Sequence, residues 1–182
     1  MVYLFLAQGF EEVEALSPVD VLRRGGVELV TVGVGARVIT GSHGIPVIAD
    51  ITTSDISSFD GVEAVILPGG MPGTLNLEAD ETVISAVRYC AEKGLTVAAI
   101  CAAPSILGHL GLLDGKRSTA FPGFEKDLAG AVQGIDGYVE HDANFITARG
   151  MGVATEFGLE ILATLKGSAV ADKVKGSIQC RA

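Results

Sequence analysis

Cys101 is the residue in this chain whose setting most suggests chemistry. It ends the apolar run Leu95-Thr96-Val97-Ala98-Ala99-Ile100 and passes directly into Ala102-Ala103-Pro104-Ser105-Ile106-Leu107. A strand that turns at once into a helix through a nucleophile crowds the positions two before and two after it, so small residues are required there. Ala99 and Ala103 meet that requirement. Pro104 suits the first helical turn, where its missing N–H costs nothing. A thiol at such a bend faces unsatisfied N–H groups and the positive end of the helix dipole, both of which favour thiolate. Set against this is the commonest fate of a free cysteine, burial as a small core residue.

A second turn follows another apolar run, in Val65-Ile66-Leu67-Pro68-Gly69-Gly70-Met71-Pro72-Gly73. In an open α/β sheet, ligands bind beyond the carboxyl ends of the strands, which places this turn and the elbow together. The N–H groups of Gly70 and Ala102 are then candidates for an oxyanion site. The turn lacks the Gly-Lys-Ser/Thr of a phosphate loop, which argues against a nucleotide cofactor. The third element, Gly9-Phe10-Glu11-Glu12-Val13-Glu14-Ala15-Leu16-Ser17-Pro18, follows the first apolar run. Glu11 and Glu12 read as dipole-complementing acids on a solvated face. Val13, Leu16 and Val19 are expected to point inward, with Glu14 beside that stripe. Pro18 removes the N–H that the Glu14 carbonyl would accept, so local irregularity is expected there.

The surrounding elements are those of a layered α/β protein. Val2–Ala7, Val27–Val34, Val62–Leu67 and Leu95–Ile100 are continuous apolar runs, the pattern of strands buried on both faces. Helix-period segments alternate with them over Phe10–Arg24, Asp80–Lys93, Ala102–Leu113 and Met151–Leu165. The alternation predicts a mostly parallel sheet with helices on both faces. Segments 37–49 and 137–148 read as small edge strands or hairpins. No linker or repeat divides the chain, so residues 1–182 are expected to form one domain.

The bulk properties exclude several functions. A net charge of −9, with scattered Lys and Arg, argues against nucleic acid as a partner. No stretch approaches the roughly 20 apolar residues that a membrane-spanning helix needs. The first residues carry no basic leader. Cys90, Cys101 and Cys180 fit neither a zinc pattern nor a disulfide framework, so free thiols in a reducing, cytoplasmic compartment are expected. Cys90 reads as packing and Cys180 as incidental. His43, His109 and His141 read as structural or surface residues.

The chain resembles the ThiJ/PfpI superfamily, in the branch of the human parkinsonism-associated protein and its bacterial relatives. The likeness rests on Gly9–Pro18 with Asp20 and Arg23-Arg24, on Leu67-Pro68-Gly69-Gly70, on Ala98–Pro104, and on Ile146-Thr147-Ala148-Arg149-Gly150 followed by Thr155-Glu156-Phe157. The resemblance implies a flavodoxin-like fold, Cys101 as the reactive elbow cysteine, and Glu14 as the acid hydrogen-bonded to its sulfur. It also implies a homodimer with the Glu14 helix near the interface. An ionised Glu14 would repel a thiolate, so the two must share a proton, with Glu14 expected protonated while Cys101 is thiolate. The activity implied is glyoxalase- or deglycase-type handling of small α-oxoaldehydes such as methylglyoxal, or of their glycated adducts, without metal or organic cofactor. The alternative is a redox-responsive protein whose Cys101 oxidises to sulfinate. Two departures stand out. Peptidase-type relatives have a histidine after the cysteine where this chain has Ala102, which argues against protease activity. Phe121 stands before Pro122 where the human protein's type has a histidine.

Overall fold

The computed structural model describes residues 1–133 and 137–180. Its main sheet has seven strands: β1 (Val2–Leu6), β2 (Leu29–Gly33), β5 (Ile51–Thr52), β6 (Ala64–Leu67), β7 (Thr96–Ile100), β8 (Val139–Asp142) and β9 (Phe145–Ala148). Their spatial order is β5-β2-β1-β6-β7-β9-β8, and every neighbouring pair is parallel except β8–β9. The remaining strands, β3 (Val38–Thr40) and β4 (Pro46–Ile48), form a separate antiparallel hairpin. This is the flavodoxin-like arrangement the sequence implies, with one refinement. Segment 137–148 does form a hairpin, but β9 lies inside the sheet against β7, and only β8 is an edge.

Strand alternation sorts the core into two layers. Leu4, Leu6, Ile66, Ala98, Ile100 and Ile146 face α1 (Glu12–Arg24), α5 (Ala154–Lys166) and α6 (Ser168–Ser177). Tyr3, Phe5, Val65, Leu67, Val97 and Ala99 face the opposite layer, which includes α3 (Glu81–Glu92) and α4 (Pro104–His109), with α2 (Gly73–Glu78) nearby. Successive strand residues point to opposite faces, so a run apolar at every position must be covered on both sides. Among the described residues no helix is long and apolar enough to cross a membrane.

Three local expectations are corrected. Helix α1 turns Ala15, Pro18, Val19 and Leu22 to the core and leaves Val13 and Leu16 45% and 38% exposed. The buried residues recur at three- and four-residue spacing, which puts positions 13, 16 and 20 on the other side. The helix also runs unbroken through Pro18, which is buried in the face packed against α5. Helix α4 spans Pro104–His109, shorter than the 102–113 segment expected, because the chain turns at Gly111 with φ +71°.

The strand order reverses direction between β1 and β6: the chain first builds outward from β1 to β2 and β5, then returns to add β6 and β7 on the other side. A crevice opens beyond the strand ends at such a switch point. Glu14 follows β1, Gly69 and Gly70 follow β6, and Cys101 follows β7, so the fold gathers all three motifs there.

Candidate active site

Cys101 occupies the left-handed region, with φ +65°, a conformation that costs a non-glycine residue roughly 1–2 kcal/mol. It is held from two sides. Its N–H donates to the Ala148 carbonyl at 2.8 Å, and its carbonyl accepts from the Phe121 N–H at 2.8 Å. Ala99 and Ala103 are both fully buried beside it, so the small-residue requirement of the elbow is real. The sulfur-bearing residue itself is only partly covered.

Glu14 is 1% exposed. Glu11 caps α1, its Oε2 accepting from the Glu14 N–H at 2.7 Å, while the Glu11 N–H donates to the Gly69 carbonyl at 2.9 Å. The cap therefore ties the start of α1 to the turn after β6. From there the Glu14 carboxyl reaches across, Oε2 accepting from the Gly69 N–H at 3.0 Å. It also hydrogen-bonds with Cys101 and with the Met151 backbone. Gly69 packs against both residues. A Cβ on it would lie 2.6 Å from the Cys101 Cβ and 2.7 Å from Glu14 Oε2. Gly70, at φ +89°, lies against Glu11 and Gly9 and aims its N–H at the Cys101 sulfur, as does Ala102.

Cys101, Glu14, Gly70 and Ala102 are thus brought together as expected, but the electrostatics differ from the simple elbow picture. Burial lifts Glu14 from the ordinary carboxylate range to about 7; the Cys101 hydrogen bond opposes this and the Glu11 charge adds to it. Burial also lifts the Cys101 thiol to about 12, reinforced by the charge and hydrogen bond of Glu14 and opposed by the Gly70 and Ala102 N–H groups. A thiol acidified by amides and dipole alone is therefore not what the site contains. Desolvation outweighs the two N–H groups, and α4 begins only at Pro104. The acid therefore gives up its proton before the thiol does, the reverse of the expected pairing of a protonated Glu14 with a Cys101 thiolate.

Other residues fall into place around this centre. Glu12, expected on a solvated face, is 4% exposed. Its carboxylate accepts from the His43 and Ile45 N–H groups at 2.8 and 3.3 Å and pairs with His43 Nδ1 at 3.0 Å, fastening the β3–β4 hairpin to α1. Sequence reasoning missed this contact because its partner lies a whole hairpin away. Glu11, Glu12 and His43 also form a group of possible metal-ligand atoms within 4.8 Å of one another, with the Glu12 oxygens already used as acceptors. His109 pairs with Glu78 and His141 with Glu160, consistent with structural duty. Cys90 is fully buried in the core, and its thiol is pushed up to about 12 by burial. A depression of about 530 Å³ lies along the segments that clamp the elbow, lined by Phe121, Pro122, Tyr138 and Arg149–Val153 and not by Cys101 itself. Sequence reasoning did not single it out, since its walls come from three separate segments.

A doubly wound α/β chain with a left-handed cysteine elbow beside a buried glutamic acid defines the class of this protein. The DJ-1/PfpI family profile matches residues 1–164, and the chain belongs to that family. It is 36% identical over 181 residues to Protein DJ-1 homolog A of Arabidopsis thaliana, covering 97% of this chain and 45% of that protein. The chain thus spans less than half the length of that relative. It is 35% identical over 152 residues to a deglycase of Pyrococcus horikoshii, covering 82% of this chain and 90% of the other. The structure of oxidized DJ-1 from Toxoplasma gondii superposes with a TM-score of 0.92 at 29% identity, covering 98% of this chain and 97% of that one.

Proposed function

We propose that this protein converts small α-oxoaldehydes, or their adducts, to hydroxy acids through a covalent intermediate on Cys101. The observation that supports this most directly is the buried Glu14 carboxyl hydrogen-bonded to the elbow sulfur, with a protonation midpoint lifted to about 7, near the pH at which it would have to give and take protons. With methylglyoxal, the sulfur attacks the aldehyde carbon and the new alkoxide takes a proton, giving a hemithioacetal. Glu14 then moves the hydrogen of the former aldehyde carbon to the adjacent ketone carbon, through an enediol, leaving a lactoyl thioester. Water cleaves that thioester and restores the thiol. The sum is methylglyoxal plus water to lactate, with no external oxidant or reductant. The Gly70 and Ala102 N–H groups, which act on the sulfur, would in this reading hold the developing oxyanion. The deglycase name of the Pyrococcus horikoshii relative fits the same chemistry.

The test is lactate formation from methylglyoxal by the purified protein and by Cys101→Ser and Glu14→Gln. Turnover by the parent that both substitutions abolish supports the reading, and equal turnover in Cys101→Ser overturns it.

A second reading is redox sensing, in which peroxide takes Cys101 to sulfinate and a protonated Glu14 donates to a sulfinate oxygen. It is favoured by the partial exposure of Cys101 within a ring of hydrogen-bond donors. Homodimer formation through the outer side of α1 also belongs to the proposal. Val13, Leu16, Ile45 and Ile48 leave large apolar side chains exposed on α1 and the adjoining hairpin, and a second copy of the same surface would cover them.

A further inference from the structure

The depression beside the elbow holds one strongly cationic group, Arg149, and its setting is unusual. The guanidinium carbon stands 5.3 Å from the centroid of the Tyr138 ring. Its Nε is buried and, among the described residues, has no hydrogen-bond partner. An aromatic ring against a guanidinium occupies the π face of the cation, while the five N–H donors radiate in its plane. The Tyr138 ring stands beside the cation, and the Glu125 carboxylate, whose pKa is lowered by backbone hydrogen bonds and further by the Arg149 charge, makes no hydrogen bond to it among the described residues. A buried donor left without a partner is costly, and a planar guanidinium is best satisfied by a carboxylate that takes two parallel hydrogen bonds.

The location links this cation to the reactive pair. Arg149 directly follows Ala148, whose carbonyl holds the Cys101 N–H, and precedes Gly150, where a Cβ would lie 3.8 Å from Glu14 Oε1 and 3.2 Å from the Phe121 ring. The other walls are apolar: Phe121, Met151 and Val153, with Phe121 and Met151 about half exposed. The molecule as a whole carries a net charge of −9, so long-range attraction does not draw anions to it. A local cation in an apolar-walled depression is the feature that would.

We infer that Arg149 is a substrate-binding residue, and that the depression takes α-oxoaldehydes bearing a carboxylate on a short aliphatic chain. This rests on the carbonyl chemistry proposed for Cys101. The carboxylate pairs with Arg149, the methylene chain lies against Phe121 and Met151, and the aldehyde reaches the sulfur. The net reaction is again addition of water: the aldehyde carbon becomes a carboxylate and the neighbouring ketone carbon a secondary alcohol.

Two measurements test it. The first compares kcat/KM for 4,5-dioxopentanoate, followed as 2-hydroxyglutarate, with that for the neutral chain-matched 2-oxopentanal. A hydrogen-bonded charge pair predicts a preference for the anion of roughly tenfold or more, reduced to near unity in Arg149→Gln and retained in part in Arg149→Lys. The second needs no turnover: the rate of Cys101 alkylation by anionic iodoacetate relative to neutral iodoacetamide at low salt. That ratio is expected to fall by about fivefold in Arg149→Gln, and to fall also in Tyr138→Leu, an exposed position where the fold is not at stake. If the parent turns over neither aldehyde, the catalytic proposal fails and the alkylation ratio alone decides: a fall supports the anion site, and no change overturns it. Unchanged aldehyde preference and alkylation ratio in a natively folded Arg149→Gln variant overturn the inference outright.

Discussion

Cys101 and Glu14 approach each other across a single glycine, so that a Cβ on Gly69 would sit 2.6 Å from the cysteine Cβ and 2.7 Å from the carboxyl Oε2. Only a residue without a side chain fits against both. The Gly69 N–H donates to Glu14 at 3.0 Å, which holds the carboxyl in place.

Gly69→Ala therefore forces two packed elements apart. The expected cost is about 1–3 kcal/mol, as for other overpacked positions, seen as a lower midpoint in urea denaturation. The iodoacetamide reactivity of Cys101 is expected to change with it, because the acid no longer sits at the sulfur. Reactivity and stability both equal to the parent's would show that the seam has slack.

Glu14 gives a second prediction. A positioned acid–base group contributes typically 10²–10⁴-fold, so Glu14→Gln is expected to lower turnover of methylglyoxal within that range. Glu14→Asp, whose shorter side chain withdraws the carboxyl from the sulfur, is expected to fall between the two. The pH profile of Cys101 alkylation is the sharper readout. In the parent it carries an inflection near pH 7, and in Glu14→Gln that inflection is absent.

Stability should also depend on pH in a defined direction. Glu14 has a folded-state midpoint near 7, against an ordinary value of 4.5, so between those limits the folded chain binds the proton that the unfolded chain releases. Its contribution is complete below about pH 4.5 and is lost as pH rises through 7. A shift of that size corresponds to roughly 3 kcal/mol. Thermal unfolding of the parent relative to Glu14→Gln, followed from pH 4.5 to pH 8, is expected to show the parent losing ground steadily. A flat difference would exclude a raised acid.

The outer side of α1 supplies the fourth. Leu16→Glu places a charge on an already exposed position, so the monomer fold is expected to keep its stability to within about 0.5 kcal/mol. If a second copy covers that face, sedimentation equilibrium should change from dimer in the parent to monomer in the variant. A parent that sediments as a monomer would dispose of the dimer.

Most of the architecture was legible because strands buried on both faces cannot hide: Val2–Leu6 and Thr96–Ile100 are apolar at nearly every position, and the cysteine that ends the second is flanked by alanines. The inward face of α1 was misread because Val13 and Leu16 are as apolar as the residues that do point inward, and periodicity cannot rank two apolar sides of one helix. Glu12 looked like a surface acid because nothing local reveals a partner at His43. The acidity of Cys101 was misjudged for a related reason. Dipole and amide effects can be read from a strand-turn-helix pattern, whereas burial is imposed by distant segments. Arg149 was visible only as part of a motif, since its buried Nε and its ring contact with Tyr138 exist only in three dimensions.

The bond from Cys101 to Ala148 has a bearing on how the protein matures. The residue with the sulfur is synthesised well before the strand that clamps it, so a nascent chain displays the thiol without its left-handed posture or its escort of amides. The native clamp on the elbow therefore requires that this inner strand has docked. Labelling of that sulfur during refolding would then report when the strand carrying Ala148 reaches its place beside it.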